Sequence, residues 1–244
     1  MKKPKNILVS FSGGLDSTYL VYKALKEGHL VTGIYTTIRN NEKKVKVEKH
    51  QIDMLNAYFQ QEFPRQFKYE YGIDIMVYGY CDLHLKQITI WLMSLLYHGS
   101  KYDEVQIGAV MNDDLVSYIN DLKNIWESFK PLSNDLPKIT FPLIKTPKWE
   151  VVEKLPQQYK DLVVYCENPV IIKKTKKKLI YENCGICNPC ERYKFESKKW
   201  SFEYGQITNL IPDIERYKEE VIKENKRCGE RNEWVETLLN SFKK

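Results

Sequence analysis

The stretch Asn6-Ile7-Leu8-Val9-Ser10-Phe11-Ser12-Gly13-Gly14-Leu15-Asp16-Ser17 decides the fold. Its first half, Asn6 to Phe11, is a short apolar run and reads as a buried strand. Its second half turns on two glycines and passes into a helix. From Thr18 to Glu27 the residues Leu20, Val21, Ala24 and Leu25 share one face, and Gly28 is the stop. Glycines let the backbone turn sharply and approach a ligand with no Cβ in the way. The freed N–H groups at the helix start then form an anion site. Ser12, Ser17 and Thr18 add hydroxyl donors. Asp16, as a carboxylate, has no proton to give a phosphate; it orders the loop or holds Mg²⁺ that is itself bound to phosphate. The loop has no Gly-Lys-Ser/Thr and no G-x-G-x-x-G, so it is neither a Walker A loop nor a dinucleotide fingerprint. A Gly-Gly turn with a Ser/Asp helix cap is the reading without chemistry.

Working outward, a second strand is expected over Leu30 to Thr36. The charged stretch Arg39 to Lys49 reads as a mobile loop leading into a helix with Ile52, Leu55, Tyr58 and Phe59 on its apolar face. Tyr69, Tyr71, Ile73, Ile75 and Val77 alternate as in a third strand. Leu83 to His98 is the most apolar helix candidate. Glu104 to Val110 and Lys138 to Leu143 are the fourth and fifth strands, and Asp113 and Asp114 open the segment between them. Thr146 looks like an N-cap with Pro147 at the first helical position. Through residue 155 the order is β-α-β-α-β-α-β-α-β. That alternation predicts a Rossmann-like α/β domain, an open parallel sheet with helices on both faces, whose ligands bind at the carboxyl ends of the strands. Residues 1–155 are thus expected to form the nucleotide-binding domain. Residues 156–244 carry a Lys-rich loop (Lys173 to Lys178), a cysteine cluster and helical stretches near Pro212–Asn225 and Asn232–Phe242.

The composition fits this plan. Of 244 residues, 43% are apolar and 29% charged, which excludes wholesale disorder. No apolar run reaches the ~18 residues of a membrane helix. Met1-Lys2-Lys3-Pro4-Lys5 is followed only by Ile7-Leu8-Val9 before Ser10, too short for a signal peptide. A cytoplasmic protein with no membrane association is expected. The net charge of +6 suits an anionic substrate such as a nucleotide. It carries no strong nucleic-acid signature, because much of it lies in short lysine runs of the kind that form solvated surface.

Six cysteines in a cytosolic chain argue against disulfides. Cys184, Cys187 and Cys190 are spaced C-x2-C-x2-C, and each pair can bring two sulfurs to one tetrahedral ion at about 2.3 Å. A fourth ligand is needed. His29, His50, His84 and His98 are all remote in sequence, which leaves Cys166 upstream and Cys228 downstream. Cys166, just after Leu162-Val163-Val164-Tyr165, is chosen, so that one Zn²⁺ clips residues 167–183 shut. A closed four-thiolate site is structural. An iron–sulfur cluster and redox-active thiols are the competing readings. Cys81 is read as an ordinary thiol.

Ser12-Gly13-Gly14-Leu15-Asp16-Ser17 resembles the S-G-G-x-D-S loop of the PP-loop ATP pyrophosphatases, of the adenine nucleotide α-hydrolase type. The resemblance implies ATP with Mg²⁺, cleaved between its α- and β-phosphates. It implies a nucleotide site of Phe11, Ser12, Gly13, Gly14, Leu15, Asp16, Ser17 and Thr18, with Ile34 and Tyr35 as adenine walls. Taken with the cysteines, most of the chain is similar to the 7-cyano-7-deazaguanine synthase (QueC) family. The family's four zinc ligands then fall on Cys166, Cys184, Cys187 and Cys190. Pro142-Leu143 with Lys148 and Glu150 matches its P-L-x4-K-x-E spacing, and Gly108 with Asp113 matches its acidic segment. The similarity implies that ATP adenylates the carboxylate of 7-carboxy-7-deazaguanine, that ammonia gives the amide, and that a second ATP leads to the nitrile. Asp16, Ser17 and Lys148 would be the catalytic residues, and Arg39, Lys86 and Asp113 the substrate-side ones. The implied partners are the deazaguanine acid and ammonia, and a homodimer is compatible with them. Two other readings stay open. One is a divergent PP-loop enzyme that stops at the amide or activates another acceptor, such as a tRNA-modifying or conjugating enzyme. A tRNA thiolase would need a cysteine pair in the first domain, where only Cys81 lies. The other is a zinc-bearing module that binds a nucleotide as a signal.

Overall fold

The computed structural model describes residues 3–39, 41–76, 87–111, 113–133, 135–174, 179–187, 189–190, 200–203 and 206–209. Its first part runs β1 (Asn6–Ser10), α1 (Leu15–Lys26), β2 (Leu30–Arg39), α2 (Glu42–Glu62), β3 (Phe67–Met76), α3 (Gln87–Gly99), β4 (Glu104–Gln106), α4 (Ile119–Ser128) and β5 (Lys138–Thr140). The strands form one sheet in the order β3-β2-β1-β4-β5, parallel throughout. The expected α/β architecture is therefore present. Strand β1 explains why both faces are covered. Side chains alternate along a strand, so Ile7 and Val9 join one apolar layer while Leu8 joins the other. The first layer includes residues of α1 and α2, and the second residues of α3 and α4. The chain leaves β3 at one edge and enters β4 on the far side of β1. That reversal makes a switch point between β1 and β4, where such sheets bind ligands.

Several boundaries differ from the sequence reading. Helix α1 starts at Leu15 rather than Thr18, so Asp16 already lies in its first turn. The segment Arg39 to Lys49, expected as a mobile loop, instead finishes β2 and enters α2. The reason is local and tertiary together. Asn41 caps the helix by accepting from the Lys43 and Lys44 N–H groups, and Val45 and Val47 are buried. Strands β4 and β5 are three residues each, shorter than expected. Thr146 does not cap the next helix, α5 (Lys148–Lys154). Pro147 occupies the cap position with ψ 152, and its carbonyl accepts from Glu150 and Val151. Proline fixes φ for either position; the extended ψ is what leaves it outside the helix.

Beyond α5 come α6 (Gln157–Lys160) and two antiparallel hairpins, β6 (Val170–Lys174) with β7 (Leu179–Glu182) and β8 (Trp200–Glu203) with β9 (Gln206–Asn209). The Lys-rich segment was expected as a loop, but Lys173 and Lys174 belong to β6. The helical stretches expected near Pro212–Asn225 and Asn232–Phe242 lie outside the described residues, as do Lys86, Cys81, His84 and Cys228. Among the described residues no helix is long and apolar enough to cross a membrane.

Candidate functional site

The loop between β1 and α1 is held from several sides. Gly13 has φ +73, and a Cβ there would stand 2.9 Å from Ile52 Cγ1 on α2, so this position needs glycine on both counts. Gly14 is extended and precedes the helix, and its carbonyl accepts from Thr18 N–H at 2.9 Å. Ser17 Oγ donates to the same carbonyl at 3.1 Å, lies 3.2 Å from Ser12 Oγ and accepts from Ser12 N–H at 3.3 Å. The two serines thus lock the turn to the first helical turn.

The residues expected to bind the nucleotide divide into two groups. Phe11, Gly13, Leu15, Ser17 and Thr18 are buried. The Phe11 ring meets Phe59, Phe67 and Tyr69 edge-on. Thr18 Oγ1 is buried with no partner among the described residues. Ser12, Gly14 and Asp16 are the partly exposed members. Gly108, after β4, comes against the same turn: a Cβ there would lie 3.2 Å from both Asp16 C and Ser17 N. Backbone therefore lines both sides of the crevice between β1 and β4.

Lys148, at the start of α5, reaches this crevice from 132 residues away. Its Nζ lies 2.7 and 2.6 Å from the two Asp16 carboxylate oxygens. The side chains of Lys148 and Asp16 are 13% and 19% exposed. An ammonium, a carboxylate and a helix N-terminus at one mouth can together take an anion and its cation.

The other expected residues are placed as follows. Tyr35 is 2% exposed, and its hydroxyl donates to Glu48 Oε2 at 2.6 Å. Burial pushes the Tyr35 phenol well above its ordinary range. Burial also raises the Glu48 carboxyl, against the pull of Lys44. Arg39 grips Asp74 through two hydrogen bonds of 2.6 and 2.7 Å, and those bonds hold the Asp74 carboxyl below its ordinary range. Asp113 caps the 3-10 turn Asp114–Tyr118 by accepting from Leu115 N–H at 3.0 Å.

The four cysteines converge. The sulfurs of Cys166, Cys184, Cys187 and Cys190 all lie within 4.8 Å of one another. Gly185, at φ +74, makes the turn between Cys184 and Cys187. Backbone N–H groups of Ile186 and Cys187 push the Cys184 thiol down to about 6. Burial pushes Cys166 and Cys190 up. Thiolates bound to one tetrahedral ion stand about 3.8 Å apart, and the observed crowding is near that. The donor set and its compactness suit a metal ion.

No family model matches this chain, and neither does any curated protein. Among solved structures, the U34-tRNA thiolase NcsA from Methanococcus maripaludis with its 4Fe-4S cluster is similar over 81% of this chain and 68% of its own. The identity is 17% and the TM-score 0.43. PH1313 from Pyrococcus horikoshii Ot3 is similar over 61% of this chain and 39% of its own, at 14% identity and a TM-score of 0.34. Likeness this distant carries no argument about chemistry. The fold and the site's own geometry define an α/β protein with a glycine-lined turn at its switch point and four clustered cysteines that could hold a metal ion.

Proposed function

We propose that the chain is an ATP pyrophosphatase of the PP-loop kind, which transfers AMP to a carboxylate or amide oxygen and releases pyrophosphate. The observation that carries this is the serine-locked Gly13-Gly14 turn at the switch point, with Lys148 paired to Asp16 at its mouth. Phosphate oxygens would accept from the loop N–H groups and the Lys148 ammonium. Asp16 would hold the Mg²⁺ that accompanies ATP. Such a site acts by orientation and charge stabilisation, with no covalent intermediate required. The sequence resemblance sets the acceptor: the carboxylate of 7-carboxy-7-deazaguanine, with ammonia as the nitrogen source and the nitrile as product. Arg39, Lys86, Asp113 and an adenine wall at Tyr35 belong to this reading.

For the four cysteines the same reading is one Zn²⁺ that clips the segment between Cys166 and Cys184. The compact sulfur set supports a single tetrahedral ion. Metal analysis should give about one zinc per chain and a colourless protein; a brown protein containing iron would replace zinc with a cluster.

One assay tests the activity. The chain is incubated with ATP, Mg²⁺, ammonium and 7-carboxy-7-deazaguanine, and products are read by mass spectrometry. AMP together with amide or nitrile is the expected outcome. AMP without either points to another acceptor, and release of ADP alone removes the pyrophosphatase reading.

A further inference from the structure

A short strap, residues 163–168, touches both the phosphate loop and the four thiols. The Val164 N–H donates to the Gly13 carbonyl at 3.0 Å. The Val164 carbonyl lies 3.4 Å from where a Cβ on Gly14 would stand. Two residues on, Cys166 is fully buried with its sulfur 4.0 Å from that of Cys187. The Glu167 N–H donates to Cys187 Sγ at 3.4 Å. The strap is also tied to α2, because Asn41 donates to the Glu167 carbonyl at 2.8 Å and Lys44 pairs with the Glu167 carboxylate. Helix α2 in turn carries Ile52, against which Gly13 rests. Loop, strap and α2 close a ring of contacts at Gly13.

We propose that occupancy of the four-cysteine site sets the affinity of the phosphate loop for its nucleotide, with Val164 as the positioning residue. The inference rests on the nucleotide reading above. A peptide unit is planar and trans. Pinning the Gly13 carbonyl on Val164 therefore aims the Gly14 N–H the opposite way, to the Ser12 side of the loop, where it donates to Ser12 Oγ at 3.4 Å until an anion takes it over. That N–H is one of the donors an anion at the loop needs. A metal gathers the thiolates and fixes Cys166, and with it the strap. Without the metal the strap gains freedom, and the nucleotide must order it on binding. Coupling of this sort is reciprocal: the nucleotide tightens the metal by the factor that the metal tightens the nucleotide.

Titration calorimetry of the full chain with a non-hydrolysable ATP analogue and Mg²⁺, before and after chelation of the metal, tests this. Circular dichroism reports whether the fold survives. Stripping the metal is expected to weaken the analogue about tenfold or more, and saturating analogue to raise the metal's affinity by the same factor. Val164→Pro, which deletes the N–H and leaves every thiol, is expected to weaken the analogue at full metal content. Val164→Ala, which keeps the N–H, is expected to weaken it far less. Equal affinity with and without metal in the folded chain overturns the coupling and leaves the nucleotide reading standing. Where the stripped chain loses its fold, the two variants decide at full metal content, and equal affinities overturn it. No binding by the metal-loaded parent overturns both.

Discussion

Two ion pairs stand at opposite ends of the central strands of one sheet and are held differently. At the amino end, Glu104 of β4 accepts from Lys5 Nζ at 2.5 Å, Thr140 Oγ1 at 2.6 Å and Gln106 Nε2 at 2.9 Å. Its donors come from just before β1, from β4 and from β5, so the carboxylate ties three strands together. At the carboxyl end, both oxygens of Asp16 face the single ammonium of Lys148, beside the glycine-lined backbone. A carboxylate held by three separate side chains is fixed in place by all of them. One held by a flexible lysine can exchange that partner for a cation while the lysine turns to an anion. On the function proposed above, the comparison separates a pair that serves the fold from a pair that would serve a ligand.

The strongest way to break the comparison is Asp16→Ala. Turnover of ATP to AMP should fall at least about 100-fold, with an unchanged circular dichroism spectrum; undiminished AMP release would take Asp16 out of the chemistry. Glu104→Gln should do the reverse. It should cost about 1–3 kcal/mol of stability by leaving buried donors poorly matched, seen as a lower urea midpoint, while kcat stays at the parent value. A large loss of kcat there would erase the distinction between the two ends.

Acid should show the same division. Burial by itself would raise the Glu104 carboxyl, but the hydrogen bonds from Lys5, Thr140 and Gln106 outweigh it, and the net shift is downward. A carboxyl lowered in the folded state contributes stability that is fully present above the unfolded value of about 4.3. That contribution is lost as pH falls through the lower folded value. Urea midpoints measured from neutral pH downward should drop in the parent below about pH 4.5 and drop less in Glu104→Gln.

Smaller effects sharpen the picture. Gly13→Ala should cost about 1–2 kcal/mol through its left-handed backbone, with the Ile52 contact adding to it, and should also weaken nucleotide binding. A wild-type midpoint for that variant would mean that the turn relaxes. The Arg39–Asp74 pair is part-exposed, at 34% and 41%. Arg39→Ala should shift stability by about 0–1 kcal/mol. Any large change in turnover would then report on substrate binding rather than on folding.

Much of the architecture was legible because its signals are local. Ile7-Leu8-Val9 can only be buried on both faces, and the glycines that follow can only be a turn before a helix. The charged run before Lys49 misled because its burial is not local: Lys44 is 8% exposed, paired with Glu167 from far along the chain. The β6–β7 hairpin was hidden by its lysines, since a two-stranded ribbon with exposed Val170 and Ile172 lacks the apolar alternation that marks a buried face. Gly108 was noticed only through a spacing. Its closeness to the Asp16 backbone depends on how β4 sits beside β1.

The amino acids alone determined the strand-turn-helix at the start, the parallel sheet and the presence of three closely spaced thiols. Each of these depends on residues within a turn or two of one another, where periodicity and backbone preference act directly. Only the tertiary structure decided that Lys148 meets Asp16 and that Val164 pins Gly13, and it brings Cys166, already the fourth ligand expected from the sequence, to the other three thiols. Those contacts join residues more than a dozen positions apart. The position of each partner is set by packing of the intervening elements, a sum over many weak contacts that no short stretch of sequence contains.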